Sequence, residues 1–149
     1  MAADRCAGCA AEVARAFVLA DIEQRPQVGS PEDAAALVGP ELAGRDRERC
    51  VALLLDTKHR VIALGTVSVG SVDHTFMAPR EILRDALIAN ASAVVLGHNH
   101  PSGDPEPSRD DELVTGRIVR AAEVVGVDLL DHVIVGGTRW VSLARRGVL

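Results

Sequence analysis

Apolar positions along the chain fall into runs whose period changes, and each change marks an element. Over residues 5–24, Val13, Phe17, Leu19 and Ala20 recur near helical spacing, and Gln27-Val28-Gly29-Ser30 closes the run with turn residues, which predicts an amphipathic helix. Ser30-Pro31-Glu32-Asp33 predicts a second helix: serine caps the first N–H groups, proline has no N–H to waste there, and the acids face the positive end of the helix dipole. That helix is expected to run to about Ala43. Cys50-Val51-Ala52-Leu53-Leu54-Leu55 is a continuous apolar run, as a strand covered on both faces requires, and Asp56-Thr57-Lys58-His59 turns it toward a partner strand over 61–69. Pro79-Arg80-Glu81-Ile82 opens a helix whose buried side is expected to hold Ile82, Leu83, Ala86, Leu87 and Ala89, and 92–96 reads as a central strand. From Ser108 a helix carrying Leu113, Ile118, Val119 and Val125 runs to Gly126, and 127–135 and 139–143 form a terminal hairpin about Gly136-Gly137. The order ααββαβαββ predicts an α/β fold, a mixed β-sheet flanked by helices.

Composition narrows the class. A chain of 149 residues suits one core that hides roughly 68–70% of the unfolded surface, and 48% hydrophobic with 25% charged residues excludes disorder, collagen and coiled coil. No run approaches the roughly 18 apolar residues of a membrane span, and Met1-Ala2-Ala3-Asp4-Arg5 does not open like a secretory leader, so a cytoplasmic protein with reduced thiols is expected. Cys6 and Cys9 form a C-x-x-C pair without a strand leading into it, and are read as ordinary thiols. Lys and Arg total 16 against 21 Asp and Glu, a net charge of −5, which gives no counterion-release drive toward nucleic acid. Phe17, Phe76 and Trp140 are the whole aromatic complement, too few for a base-stacking surface, so the core must be aliphatic.

The densest polar stretch, residues 97–111, follows directly on an apolar strand. His98 and His100 are two apart, so in extended backbone both imidazoles leave the same face and can share one cation, while Asn99 points the other way. Pro101, Gly103, Pro105 and Pro107 make a stiff turning loop that returns Ser108 and the following acids toward the histidines. Two histidines and a carboxylate would leave a tetrahedral zinc one open position for a water, the arrangement of a hydrolytic site. The same residues also allow a purely structural loop, because Ser108-x-x-Asp111 is a capping box and acids in a first helical turn need no metal.

The string His98-x-His100-x₇-Ser108-x₂-Asp111 resembles the JAMM motif of JAB/MPN-domain zinc metallopeptidases, and HNHPSGDPEPS is similar to the RadC-type bacterial branch of that family. Residues 51–69, Pro79-Arg80-Glu81-Ile82 and Leu130-Asp131-His132-Val133-Ile134-Val135-Gly136 extend the similarity over about 28–143. The resemblance implies a cytidine-deaminase-like sandwich, placed at 28–149, and the helical spacing ahead of it makes 1–27 an N-terminal helical extension. It implies Zn2+ on His98, His100 and Asp111 with water as fourth ligand, Ser108 holding a carbonyl oxygen, and a glutamate as general base. Glu48, just ahead of the apolar strand, is the first choice for that base, and Glu81, at a helix start, the competitor. The implied activity is hydrolysis of a peptide or protein-conjugate substrate. The alternative is a DNA-repair-associated accessory protein with a vestigial metal site. Such proteins usually carry a helix-hairpin-helix-like region ahead of this domain, for which too little chain precedes the first predicted strand here, so nucleic acid is not expected as a partner.

Other polar residues invite plainer readings. Asp104, Glu106 and Asp110 are accounted for by the proline-kinked loop and the helix start. Asp131-His132 is either a buried pair ordering the sheet or a support for a ligand histidine. His59 and His74 are expected in solvated turns, and Arg145-Arg146 as a wet terminus. An HNH nuclease built on His98-Asn99-His100 is disfavoured, because that fold disperses its residues over a ββα unit.

Overall fold

The computed structural model describes residues 22–70 and 77–149 and the backbone of 15–16. Cys6, Cys9, Phe17, His74, Phe76 and most of the helix expected over 5–24 lie outside the described residues. Where that segment is described it is not α-helical: Arg15–Ala16 is a short strand, β1, and Ile22–Gln24 a single 3₁₀ turn. Near-helical spacing there loses to pairing, since Arg15 and Ala16 sit opposite Leu64 and Ala63 of the neighbouring strand.

From there the order is α1 (Pro31–Leu42), β2 (Arg49–Leu55), β3 (Val61–Val69), α2 (Pro79–Ile88), β4 (Ala93–Asn99), α3 (Arg109–Val125), β5 (Asp128–Gly136) and β6 (Arg139–Ser142). One mixed sheet runs β1-β3-β2-β4-β5-β6, antiparallel throughout except for the parallel pair β4–β5. The expected mixed sheet with flanking helices is thus the observed one.

Strand alternation builds two cores. Val51, Leu53, Leu55, Val95, Val133 and Val135 face α1, where Ala34, Val38 and Leu42 meet them. Cys50, Ala52, Leu54, Val94 and Leu96 face Ile82 and Ala86 of α2 and Ile118 and Ala122 of α3. The sheet is therefore the middle of three layers, and every residue of β4 is buried. On the α1 side, a Cβ at Gly97 would stand 3.0 Å from Val38 Cβ, so glycine here lets the helix lie close. Leu87 and Leu113, expected inside, are 54% and 58% exposed. The stripes on α2 and α3 are narrower than the apolar spacing suggested, and Leu87 and Leu113 fall outside them. Val125 is also exposed, in the last turn before Gly126.

Ser30 caps α1 as expected, its Oγ accepting from Asp33 N, and Gly126 ends α3 in the left-handed conformation at φ 78°. The β2–β3 turn is held by Asp56, whose Oδ1 accepts from Lys58 N and Arg60 N at 2.9 and 3.0 Å and whose Oδ2 takes Arg60 Nε at 2.8 Å. Next to it His59, half-buried, adopts φ 59°, and its carbonyl accepts from Val28 N. Burial pushes the Asp56 carboxyl up, but those N–H groups and the Arg60 guanidinium outweigh it and leave it below its ordinary 3.8. The folded state therefore binds this proton more weakly than the unfolded chain, so the stabilisation is present above pH 3.8 and is lost as pH falls through the folded value. Asp56→Asn is expected to lower the urea midpoint at neutral pH, by the equivalent of about 1–2 kcal/mol. The gap to wild type should close as the titration is repeated at successively more acidic pH.

Among the described residues, no helix is long and apolar enough to cross a membrane.

Candidate metal centre

The register of β4 against β2 and β5 decides which side chains meet. His98 lies on the α2/α3 face with Leu96, is fully buried, and pairs with Cys50 of β2 and Ile134 of β5. His100, just past the strand, repeats the orientation, and its Nε2 stands 3.0 Å from His98 Nε2. The proline loop then turns back, pinned by Gly103 N donating to His100 O at 3.0 Å and by buried Pro105, and delivers Ser108 at the start of α3.

Asp111 completes the group. Its Oδ1 is 3.4 Å from His98 Nε2 and its Oδ2 3.3 Å from His100 Nε2. The capping box is also present: Ser108 N donates to Asp111 Oδ2 at 2.8 Å, and Asp111 N donates to Ser108 Oγ at 3.1 Å. The cap thus fixes the rotamer that turns the Asp111 carboxylate to the imidazoles, so capping and a ligand role are compatible in one arrangement. Burial pushes the Asp111 carboxyl up, but His100, His98 and the Ser108 N–H prevail and hold it far below the usual carboxylate range. Asp111 raises His100 in turn, against the opposing effect of burial.

Three ligand-type atoms from His98, His100 and Asp111 lie within 4.8 Å of one another, the one such group of three among the described residues. Their chemistry fits a cation. His100 Nδ1 faces the Asp104 carbonyl at 2.8 Å, which can only accept, so the hydrogen sits on Nδ1 and Nε2 turns a bare lone pair inward. A carboxylate likewise only accepts, and His98 Nδ1 is occupied by His132 Nε2 at 2.7 Å. With both rings neutral, three acceptors converge on one space, as a divalent ion requires; in its absence a proton on His100 Nε2 is what Asp111 favours when it raises that imidazole. Cys50, opposite His98, is not among the three, and burial pushes its thiol up to about 12.

The two glutamates separate. Glu48 is half-buried, two residues before the strand partner of His98, and its charge is near enough to raise His100. Asn99, directed to the opposite face as expected, clamps the backbone on both sides of Glu48, accepting from Arg49 N at 2.7 Å and donating to Arg47 O at 3.0 Å. Glu81 instead pairs with Arg84 at 3.1 Å in the first turn of α2.

The Asp131-His132 pair is divided between the two faces of the sheet. Asp131 braces the C-terminal segment, accepting from Ser142 Oγ at 2.6 Å and Ala144 N at 3.0 Å, while His132 turns to the metal-side face and touches His98. Burial holds His132 well below its ordinary pKa and therefore neutral. Thr115, which sequence reasoning missed, joins His132 Nδ1 at 2.7 Å. The available signal was a polar residue four positions after Asp111, on the side of α3 that buries Ile118 and Ala122.

The loop acids behave as expected. Asp104 Oδ1 accepts from Glu106 N and Asp110 is exposed in the first turn. The terminal arginines are exposed as expected, and each finds a surface partner: Arg146 meets Glu106 through two contacts at 2.6 and 2.7 Å, and Arg145 pairs with Glu32 at 2.8 Å beside the Trp140 ring. The C-terminal segment thus ties the metal-side loop to the body of the protein.

Residues 28–148 match the family described as RadC-like JAB domain. A UPF0758 protein of Desulforamulus reducens is 41% identical over 140 residues, covering 94% of this chain and 62% of that protein. One of Rubrobacter xylanophilus is 44% identical over 140 residues, with 94% and 61% covered, and UPF0758 protein ABC2615 of Shouchella clausii is 46% identical over 123 residues, with 83% and 54% covered. The chain spans 62% or less of the length of these relatives. With the family matched across both strands and the helix that frame the histidine–aspartate cluster, the chain belongs to the RadC-like JAB domain family.

Proposed function

We propose that the chain is a zinc-dependent hydrolase of peptide or isopeptide bonds. The observation that carries the reading is the convergence of His98 Nε2, His100 Nε2 and the Asp111 carboxylate on one small space, with a second carboxylate, Glu48, close by. His98, His100 and Asp111 would hold the ion as three protein ligands, leaving a position open. Bound there, zinc supplies Lewis acidity, lowering the pKa of a water toward about 7 and polarising a carbonyl.

The remaining work falls to the chain. Glu48 Oε atoms take the proton of the attacking water and return it to the leaving amine, a transfer worth roughly 10²–10⁴ in rate. Asn99 holds the main chain on either side of Glu48 and so fixes the point from which its side chain extends. Ser108 Oγ accepts from Asp111 N through a lone pair and so retains its own hydrogen, which it donates to the substrate oxygen as negative charge builds there.

Metal analysis of purified protein tests the first half of the reading: about one zinc per chain is expected, and loss of zinc in His98→Ala. For the second half, Glu48→Gln should keep its zinc and lose roughly 10²-fold or more in turnover on a panel of fluorogenic peptides and lysine-linked isopeptides. Full turnover in Glu48→Gln would remove Glu48 from the mechanism, and a wild-type chain without zinc would remove the mechanism itself.

A further inference from the structure

His132 and Thr115 are fully buried beside the metal-side cluster, and neither belongs to the group of three ligand-type side chains. Packing alone gives no reason for either: Thr115 shares the buried side of α3 with Ile118 and Ala122, His132 lies opposite Leu96, and a buried polar group costs more at such positions than valine or leucine would. Their contacts carry a proton order that the atoms dictate. Thr115 Oγ stands 2.6 Å from the main-chain oxygen of Asp111, and since a carbonyl has no hydrogen, the threonine's own O–H must hold that contact. With its hydrogen committed, Oγ offers only lone pairs to His132 Nδ1 at 2.7 Å, so Nδ1 carries the hydrogen. Neutral imidazole has one N–H, so His132 Nε2 is an acceptor. The 2.7 Å contact to His98 Nδ1 then requires the hydrogen of His98 to be on Nδ1. The chain ends at His98 Nε2, left bare and facing His100 and Asp111.

We infer that Thr115 and His132 are positioning residues that lock His98 in the tautomer whose Nε2 lone pair faces the cation site. The inference rests on the metal reading above and extends it to two residues outside the histidine–aspartate motif. Without the chain, His98 would share its hydrogen between both nitrogens, and whenever Nε2 carried it the site would aim an N–H at the incoming ion. The chain begins on the carbonyl of Asp111 and ends on the nitrogen that the Asp111 carboxylate faces. The first turns of α3 thereby set both the anionic ligand and, at a distance, the form of the neutral one.

Two readouts test this on the full chain: the tautomer of His98 from long-range ¹⁵N–¹H correlation spectra of metal-free protein, and zinc affinity by competition with a chromophoric chelator. Wild type is expected to show His98 with hydrogen on Nδ1. His132→Leu, which removes the acceptor at similar bulk, should lose that preference and about 10–100-fold in zinc affinity. His132→Gln, whose Oε1 can accept from His98 Nδ1, should recover both, which a packing role would not reproduce. Should His132→Leu fail to fold, Thr115→Val carries the same test, with a mixed tautomer and about tenfold weaker zinc binding expected. Hydrogen on His98 Nε2 in wild type, or unchanged zinc affinity in His132→Leu and Thr115→Val, overturns the inference. A wild-type chain with the expected tautomer but no affinity for zinc supports the proton order and sinks the metal reading alone.

Discussion

Asp111→Asn is expected to weaken zinc binding by about 100-fold or more, which is about 2.7 kcal/mol, while Asp110→Asn leaves it unchanged. The size follows from comparison: hydrogen-bond partners that only orient a ligand are worth about 10–100-fold, so a ligand itself belongs at or above the top of that range. The contrast follows from position. Both acids lie in the first turn of α3 and both favour its dipole, but only Asp111 is drawn to the imidazoles, with its two oxygens 3.4 and 3.3 Å from His98 and His100. Asparagine keeps an oxygen that can accept from Ser108 N, so the helix start survives and the loss isolates ligation from capping. By the linkage that applies to Asp56, loss of a carboxylate held so far below its ordinary range should lower the melting temperature of the metal-free Asp111→Asn protein, whereas that of Asp110→Asn should move little, so zinc affinity is compared on the folded proteins. Equal zinc losses in the two would mean that the carboxylates act through general charge, and the assignment of Asp111 would fall.

Much of this was legible from local pattern, and what was not has a common cause. The apolar runs at 50–55 and 92–96 announce strands covered on both faces, and two histidines two apart at the end of one of them announce a shared face. Ser108-x-x-Asp111 reads as a cap from spacing alone, and it is one. Spacing could not decide whether Glu48 or Glu81 approaches the histidines, because that depends on β2 lying antiparallel to β4 with Cys50 opposite His98, a pairing of residues far apart in the chain. His132 is hidden for the same reason, since its meeting with His98 is set by the parallel β4–β5 register. Thr115 looks like an ordinary helical threonine until β5 is laid beside α3. The stretch ahead of α1 misleads in the opposite direction, its near-helical spacing giving way at Arg15–Ala16 to pairing with β3. Arg145 and Arg146 are solvated as they look, but their surface partners, Glu32 and Glu106, are distant in sequence and so not legible.

Gly136→Ala is expected to cost at least about 3 kcal/mol and to weaken zinc binding as well, although the residue touches no ligand. The sequence reads Gly136-Gly137 as a hairpin turn, yet the two glycines are needed for different reasons. Gly137 has φ 61°, the left-handed backbone that glycine adopts freely, with its nearest neighbour to a Cβ at an ordinary 3.7 Å. Gly136 is needed for space: a Cβ there would stand 2.5 Å from Pro105 N, 2.7 Å from Asp104 C and 2.9 Å from Gly103 C. All three are backbone atoms in a stretch that Pro105 stiffens, so no side chain can rotate away and the loop itself must lift. Lifting it withdraws the Asp104 carbonyl from His100 Nδ1, the contact that keeps the His100 ring turned inward with its Nε2 bare. A loss of about 3 kcal/mol corresponds to a melting temperature lower by roughly 6–12 °C in a domain of this size. Gly137→Ala is the control, since its left-handed backbone costs about 1 kcal/mol and displaces nothing near the histidines, so zinc affinity should hold. If Gly136→Ala melted like wild type, or lost stability while binding zinc normally, the loop would not be what holds His100 in place.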